Sequence, residues 1–310
     1  MILTKFNGYL PESINFFIQF CQTQNIKLVM HGSAISDYFT HNMPNDYDFY
    51  ILSPINDFLE KVATRLNIQL KRYEKYIIYE QKKIFYFINQ EKIKIDLNFI
   101  DPQTDISELN QKDERVIITI SSLLFNPENN ILIDEYHGIR DMNRKDISCY
   151  QLENFLDSPL SVKCFVSYLS HLHGKFSDFS LMENQLPLIK QYLQNKNYLK
   201  YYEEFSWQRI IVLTRVLSHS NAGIINAFNF WKNVDLVKFF FSGYDEFNVE
   251  KIFLNVETSP LQKIIDLSNL SKGKFLEDFA YNLSKIPVSY YQCIPQKTKS
   301  LLLEIKKLRN

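Results

Sequence analysis

Two aspartates one residue apart, Asp46 and Asp48, open an apolar run, DYDFYI, that reads as a β-strand. Alternation along a strand sends both carboxylates to one face. Carboxylates held side by side repel, and a cation between them removes that cost. Asp96, within IKIDLNFI, supplies a third acid on what reads as a neighbouring strand. Three such acids suit two metal ions about 3.5–4 Å apart, one activating an attacking hydroxyl and the other neutralising phosphates. Upstream, Gly32-Ser33 follows a short apolar run and precedes a helical pattern. Glycine there lets the backbone approach a ligand closely, and the N–H groups opening the helix, with the Ser33 hydroxyl, can cradle a triphosphate. The competing reading of the acids is as surface groups at a strand end.

The elements that must hold these residues can be read from periodicity. Residues 10–24 carry apolar positions at helical spacing, 26–31 form a strand-like run, and a helix near 34–40 leads to a strand near 47–52. Ser53-Pro54 opens a helix reaching about residue 66, since proline is tolerated in a first turn. Three β-rich stretches follow near 69–80, 83–89 and 92–100, and residues 116–133 suggest a turn-linked pair around Asn126-Pro127. From about residue 150 the alternation gives way to helical patterns, as at 183–203, 204–219, 234–241 and 298–309. The expected fold class is α+β: a head on a mixed β-sheet over residues 1–146, then an all-helical region over 147–310.

Composition narrows the function classes. Lys plus Arg number 35 and Asp plus Glu 35, and apolar types make up 45% of 310 residues, which excludes a disordered chain and allows a sizeable core. The neutrality hides an asymmetry: residues 1–150 hold 16 bases against 20 acids (16 − 20 = −4), leaving 19 against 15 (19 − 15 = +4) in the remainder. Lys297, Lys299, Lys306, Lys307 and Arg309 near the end could meet a phosphate backbone or form a solvated helix face. Cys21, Cys149, Cys164 and Cys293 contain no CxxC pair and read as buried thiols in a reducing compartment. No apolar run approaches the roughly 18 residues of a membrane span, and Glu12 interrupts any leader-like start, so a soluble, cytoplasmic protein is expected, with an organelle as the alternative.

Other side chains carry weaker signals. His171 and His173 diverge on a helix and are expected to be structural. His31 could reach a phosphate or pack at its strand end; Tyr47 and Tyr50 are expected to pack the sheet, with base stacking as the alternative. The aromatic run KFFFSGYDEF, 238–247, is expected in a core, or else at a partner surface.

Residues 32–48 resemble the head domain of the tRNA nucleotidyltransferase (CCA-adding enzyme) and bacterial poly(A) polymerase family, within the polymerase β-like nucleotidyltransferase superfamily. That family's motif runs Gly-Gly-x-Val-Arg-Asp, a hydrophobic helix, Gly-Arg, a proline and Asp-x-Asp. Gly32 and Ser33 stand at the glycine pair, Ala34 and Ile35 at apolar positions, Asp37 at the motif aspartate, Pro44 at the proline, and Asp46 and Asp48 at the metal-binding pair, without a gap. Asp96 falls at the family's third acid. Residues 115–142 extend the resemblance, with Arg115, Thr119, Ile120, Leu132, Ile133, Asp134, Gly138 and Asp141 at family positions.

The resemblance implies Asp46, Asp48 and Asp96 as catalytic, metal-binding residues, with Gly32, Ser33, Asp37 and Arg115 at the nucleotide. It implies two Mg²⁺ ions, or Mn²⁺, a nucleoside triphosphate donor, and an RNA 3′ end, tRNA or other, as acceptor. Departures are clear. Ser36 replaces the arginine of the glycine motif, His41-Asn42 replaces Gly-Arg, and Val116-Ile117 and Ser121 replace polar residues of the second region. In 153–169 only Pro159 remains of an arginine-bearing segment, and no Glu-Asp-x-x-Arg template motif is present. Two alternatives therefore stand beside RNA nucleotidyl transfer: an inactive relative acting as a scaffold, with a protein partner on its helical region, or transfer to a protein or small molecule.

Overall fold

The computed structural model describes residues 2–6, 8–44, 46–76, 81–112, 118–150, 175–181, 185–194, 206–240, 258–270, 274–286 and 296–307. Arg115, residues 153–169, His171, His173, Cys164, Cys293, Arg309 and most of 238–247 lie outside them. The chain divides into two compact units, 1–152 and 153–310.

The first unit is built on an eight-stranded mixed sheet. Its strands are β1 (Ile2–Lys5), β2 (Leu28–His31), β3 (Asp46–Ile51), β4 (Lys71–Tyr76), β5 (Gln81–Ile88), β6 (Lys94–Phe99), β7 (Leu124–Asn126) and β8 (Ile131–Asp134), in spatial order β1-β8-β7-β2-β3-β6-β5-β4. All neighbours are antiparallel except β3 and β6. The chain leaves β3 through a helix, runs to the far edge as β4, and returns by two antiparallel steps, which lays β6 beside β3 in parallel. The expected strands are all present. β1 was not expected: its four residues, ILTK, are too short to display a period.

One face of the sheet is covered by α1 (Glu12–Thr23), α2 (Ser33–Phe39) and α3 (Ile55–Phe58). Alternation explains the partition: Tyr47, Phe49 and Ile51 of β3, with Ile95 and Leu97 of β6, meet Ile14, Phe17, Ile35 and Phe58 in the main core. Phe17 packs edge-on against Phe49, with ring centroids 5.6 Å apart. The helix expected to reach residue 66 is α-helical only to Phe58 and continues as a π-helical stretch, Leu59–Ala63. That extra residue per turn lets Phe58, Val62 and Ala63 all stay buried. The opposite face is apolar over part of its area, where Val29, Tyr50, Leu52, Leu124 and Ile133 pack under Leu109 of α4 (Leu109–Lys112).

The segment from Thr119 to Arg144 closes the unit. α5 (Gly138–Arg144) has left-handed residues at both flanks, His137 and Lys145. Its first N–H groups are satisfied by the buried Asp134, whose Oδ1 accepts from Gly138 N at 2.7 Å and Oδ2 from Ile139 N at 3.1 Å. Thr119 Oγ1 donates to Asp141 Oδ2 at 2.8 Å, tying α5 to the 3₁₀ turn Thr119–Ser121. Cys21 and Cys149 are free and buried, and burial pushes the Cys21 thiol up to about 12 and the Cys149 thiol higher as well.

The second unit's described residues are largely helical: α6 (Leu186–Leu193), α7 (Ser206–Leu217), α8 (Asn221–Asn233), α9 (Val237–Phe240), α10 (Pro260–Leu270), α11 (Lys274–Leu283) and α12 (Gln296–Lys307). A two-residue strand, Ser180–Leu181, is the departure from an all-helical reading. α7 packs against α8, α10, α11 and α12. Trp231 stacks on Phe240 at 4.0 Å, and Arg209 holds Asp278 with two bonds of 2.6 and 2.7 Å. Buried Lys263 donates to the carbonyl of His219 at 2.9 Å, just past the end of α7. Among the described residues no helix is long and apolar enough to cross a membrane.

The Gly138 contact is testable. A Cβ there would lie 2.3 Å from the backbone oxygen of Thr119. Gly138→Ala is expected to lower unfolding free energy by about 1–3 kcal/mol, read as a lower urea midpoint. An unchanged midpoint would contradict this packing.

Candidate active site

The strand register decides which side chains share the open part of the second sheet face. On β3, Asp46 and Asp48 alternate with the core residues Tyr47 and Phe49. In the parallel pairing Asp48 lies opposite Asp96 and Asp46 opposite Lys94. On the other side His31 of β2 lies opposite Asp48, and beyond β6 Tyr86 of β5 lies opposite Asp96. Paired residues on neighbouring strands project from the same face about 4.8 Å apart. One row across the sheet therefore reads His31, Asp48, Asp96, Tyr86, and Asp46 and Lys94 stand beside it.

The turn before α2 abuts this row. Gly32 has φ 82° and ψ −157°, a region open essentially to glycine. A Cβ at Gly32 would lie 2.8 Å from Asp48 Oδ2, so the Asp48 carboxylate sits against the bare backbone of the turn. Ser33 is the first residue of α2. Gly32, Ser33, Asp46, Asp48 and Asp96 are thus gathered at one end of the sheet.

Asp37 behaves differently. It is buried within α2 and bears on the phenol of Tyr47, whose side chain belongs to the helix-covered core. Burial, then the charges of Asp37 and Glu91, raise the Tyr47 phenol to about 12. Ser36, which stands at the missing arginine of the glycine motif, is fully buried, and its hydroxyl turns back to the Ser33 carbonyl at 3.0 Å. His31 lies flat on Tyr50, with ring centroids 3.7 Å apart and planes 8° from parallel, and both are buried. Tyr47 and Tyr50 pack the sheet as expected.

A further member of the site is Lys94. Its Nζ lies 2.8 Å from Asp96 Oδ2, with side chains only 17% and 8% exposed, and 5.5 Å above the ring centre of Tyr86. Burial opposes its charge, but Asp96, Asp46 and Asp48 together hold its pKa above the ordinary lysine value. The signal was present in KIKID, where Lys94 stands two residues before Asp96 on the same strand face. A lysine in a strand reads by default as solvated.

The donor set suits a hard divalent cation, since Asp46 and Asp48 share one face of β3 and the Asp48 carboxylate lies against a turn with no side chain in the way. Among the described residues no three His, Cys, Asp or Glu side chains are arranged to hold a metal ion by themselves. The third acid is engaged by an ammonium instead.

No protein-family model and no curated protein matches the chain. Solved structures match along its length. A CCA-adding enzyme in complex with ATP is similar at a TM-score of 0.66 and 18% identity, covering 100% of this chain and 72% of that one. The fold is nucleotidyltransferase-like. The Thermotoga maritima CCA-adding enzyme complexed with tRNA gives a TM-score of 0.61 at 18% identity, covering 100% and 73% of the two chains. A tRNA-processing enzyme with CTP gives 0.58 at 14%, covering 93% and 87%. Within this nucleotidyltransferase-like fold the acid row sits where β2, β3 and β6 adjoin.

Gly32→Ala is expected to cost about 1–3 kcal/mol, because alanine is strained at this φ and ψ. The same variant must push Asp48 aside. Thermal unfolding with and without Mn²⁺ separates the effects: a lower Tm without the ion, and a smaller rise on adding it, are the expected pair.

Proposed function

We propose that this chain is a metal-dependent nucleotidyltransferase that adds a nucleotide from a nucleoside triphosphate to a hydroxyl acceptor, an RNA 3′ end and most directly that of a tRNA. The observation that carries the reading is Asp48, set against the Gly32 turn and opposite Asp96 in register. Likeness to CCA-adding enzymes solved with ATP and with tRNA supports the donor and acceptor classes.

In the proposed reaction the acceptor oxygen attacks the α-phosphorus in line. A new O–P bond forms, the bond to the β-phosphate oxygen breaks, pyrophosphate leaves and the hydroxyl proton is released. Asp46 and Asp48 would hold Mg²⁺ or Mn²⁺, with Asp96 as the third acid. The ion's contribution when bound is to neutralise phosphate charge and lower the pKa of the attacking hydroxyl. The N–H groups of the Gly32-Ser33 turn seat the β- and γ-phosphates. Asp37, buried within α2 just past this turn, is assigned to the nucleotide on the family resemblance. Arg115 is assigned to the nucleotide on the family resemblance alone. The helical second unit is assigned to the acceptor, and the reaction to an intracellular setting.

A second reading has one observation in its favour: Ser36 leaves a buried hydroxyl where the family carries an arginine for the nucleotide. In that reading the head is a scaffold without turnover. Incubation of the full chain with Mg²⁺ or Mn²⁺, each labelled nucleoside triphosphate and a total RNA pool distinguishes the two. Label is expected to enter RNA with the native protein and to fall by at least about a thousandfold with Asp46→Asn, the order lost when transition-state charge stabilisation is removed. The far-UV spectrum of that variant is expected to be unchanged. Equal incorporation by Asp46→Asn would overturn the assignment, and no incorporation by either protein would favour the scaffold.

A further inference from the structure

We propose that the Lys94 ammonium is a resident cation of the acid row, holding Asp96 in place of a divalent ion until a metal displaces it. The inference rests on the metal-site reading above and concerns how tightly that site takes its ion. Lys94 Nζ lies 2.8 Å from Asp96 Oδ2, and Lys94 itself stands opposite Asp46 in the parallel pair. Strand neighbours two residues apart, and residues facing across the pair, are all within reach of a four-carbon stem. The Tyr86 ring below Nζ adds a cation–π contact that keeps the ammonium over β6 instead of in solvent.

The charges make the consequence definite. Asp46, Asp48 and Asp96 sum to −3, and Lys94 brings the group to −3 + 1 = −2, the charge that one divalent ion balances. Without Lys94, three carboxylates on one sheet face would repel, and the metal-free head would depend on a bound cation. With it, the head folds around a row whose charge is reduced to −2, and an incoming ion must compete with an ammonium already in contact with Asp96. Lysine suits this role because its ammonium is a compact charge on a flexible stem, able to swing from one carboxylate to another acceptor. A triphosphate is the acceptor that the proposed reaction supplies, so displaced Lys94 would transfer its contact from Asp96 to phosphate oxygen.

The test is Mn²⁺ binding to the full chain without nucleotide, followed by the electron paramagnetic resonance signal of the free ion. Lys94→Met keeps the stem and removes the charge. It is expected to bind Mn²⁺ at least tenfold more tightly than the native protein, to melt lower in the absence of metal and to gain more in Tm when the ion is added. Lys94→Arg keeps the charge and grips carboxylate with two parallel bonds, so its Mn²⁺ affinity is expected to equal or fall below native. If Lys94→Met fails to fold without metal, recovery of its native circular dichroism on adding Mn²⁺ supports the role, and failure to recover counts against it. Equal Mn²⁺ affinity in native, Lys94→Met and Lys94→Arg proteins, abolished by Asp46→Asn, overturns the role of Lys94 and leaves the metal-site reading standing. No Mn²⁺ binding by either the native protein or Lys94→Met overturns both.

Discussion

The parallel pairing of β3 with β6 is the constraint on which the site depends. A parallel ladder keeps paired residues on one face, so Asp48 and Asp96 face the same way because Phe49 and Leu97 are both buried beneath. A one-residue slip of β6 would turn Asp96 into the core and Ile95 onto the open face, a change that the packing around Ile95 and Leu97 opposes strongly. The acids are therefore gathered by hydrophobic burial on the opposite side of the sheet. The route by which the chain returns, out to β4 and back through β5, is what makes the pairing parallel.

The two halves of the family resemblance have different physical content. The Gly32 to Asp48 segment brings backbone and carboxylate together and leaves them facing outward. The Asp134, Gly138 and Asp141 set turns inward: Asp134 supplies the acceptors that α5 lacks at its start, Asp141 is tied to Thr119, and Gly138 makes room for the Thr119 carbonyl. Those side chains seat a helix, so this half of the resemblance has an architectural content in the folded head.

The period-two pattern made β2, β3, β5 and β6 legible in the sequence, and it correctly put Asp46 and Asp48 on one face. Asp96 could be read as a third acid on a neighbouring strand, but nothing in a period tells a parallel neighbour from an antiparallel one, so its register opposite Asp48 came only from the folded sheet. β1 was hidden by its brevity, and α5 by having its capping acid four residues upstream instead of at the cap. Lys94 was passed over because a strand lysine is ordinarily solvated; only the register against Asp46 and the contact with Asp96 give it meaning. The burial of Asp37, and the bearing of its charge on the Tyr47 phenol, are properties of the folded helix that no spacing rule reveals.

The edges of the sheet have a consequence for the molecule's behaviour in a crowded solution. β4 opens with exposed Lys71 and Arg72, and β1 ends at an exposed Lys5, so each outer strand carries charge where another strand would have to add. Charged side chains on edge strands disfavour the addition of a further strand. The two open borders of the sheet are thereby made poor templates for edge-to-edge pairing, independently of what the acid row binds.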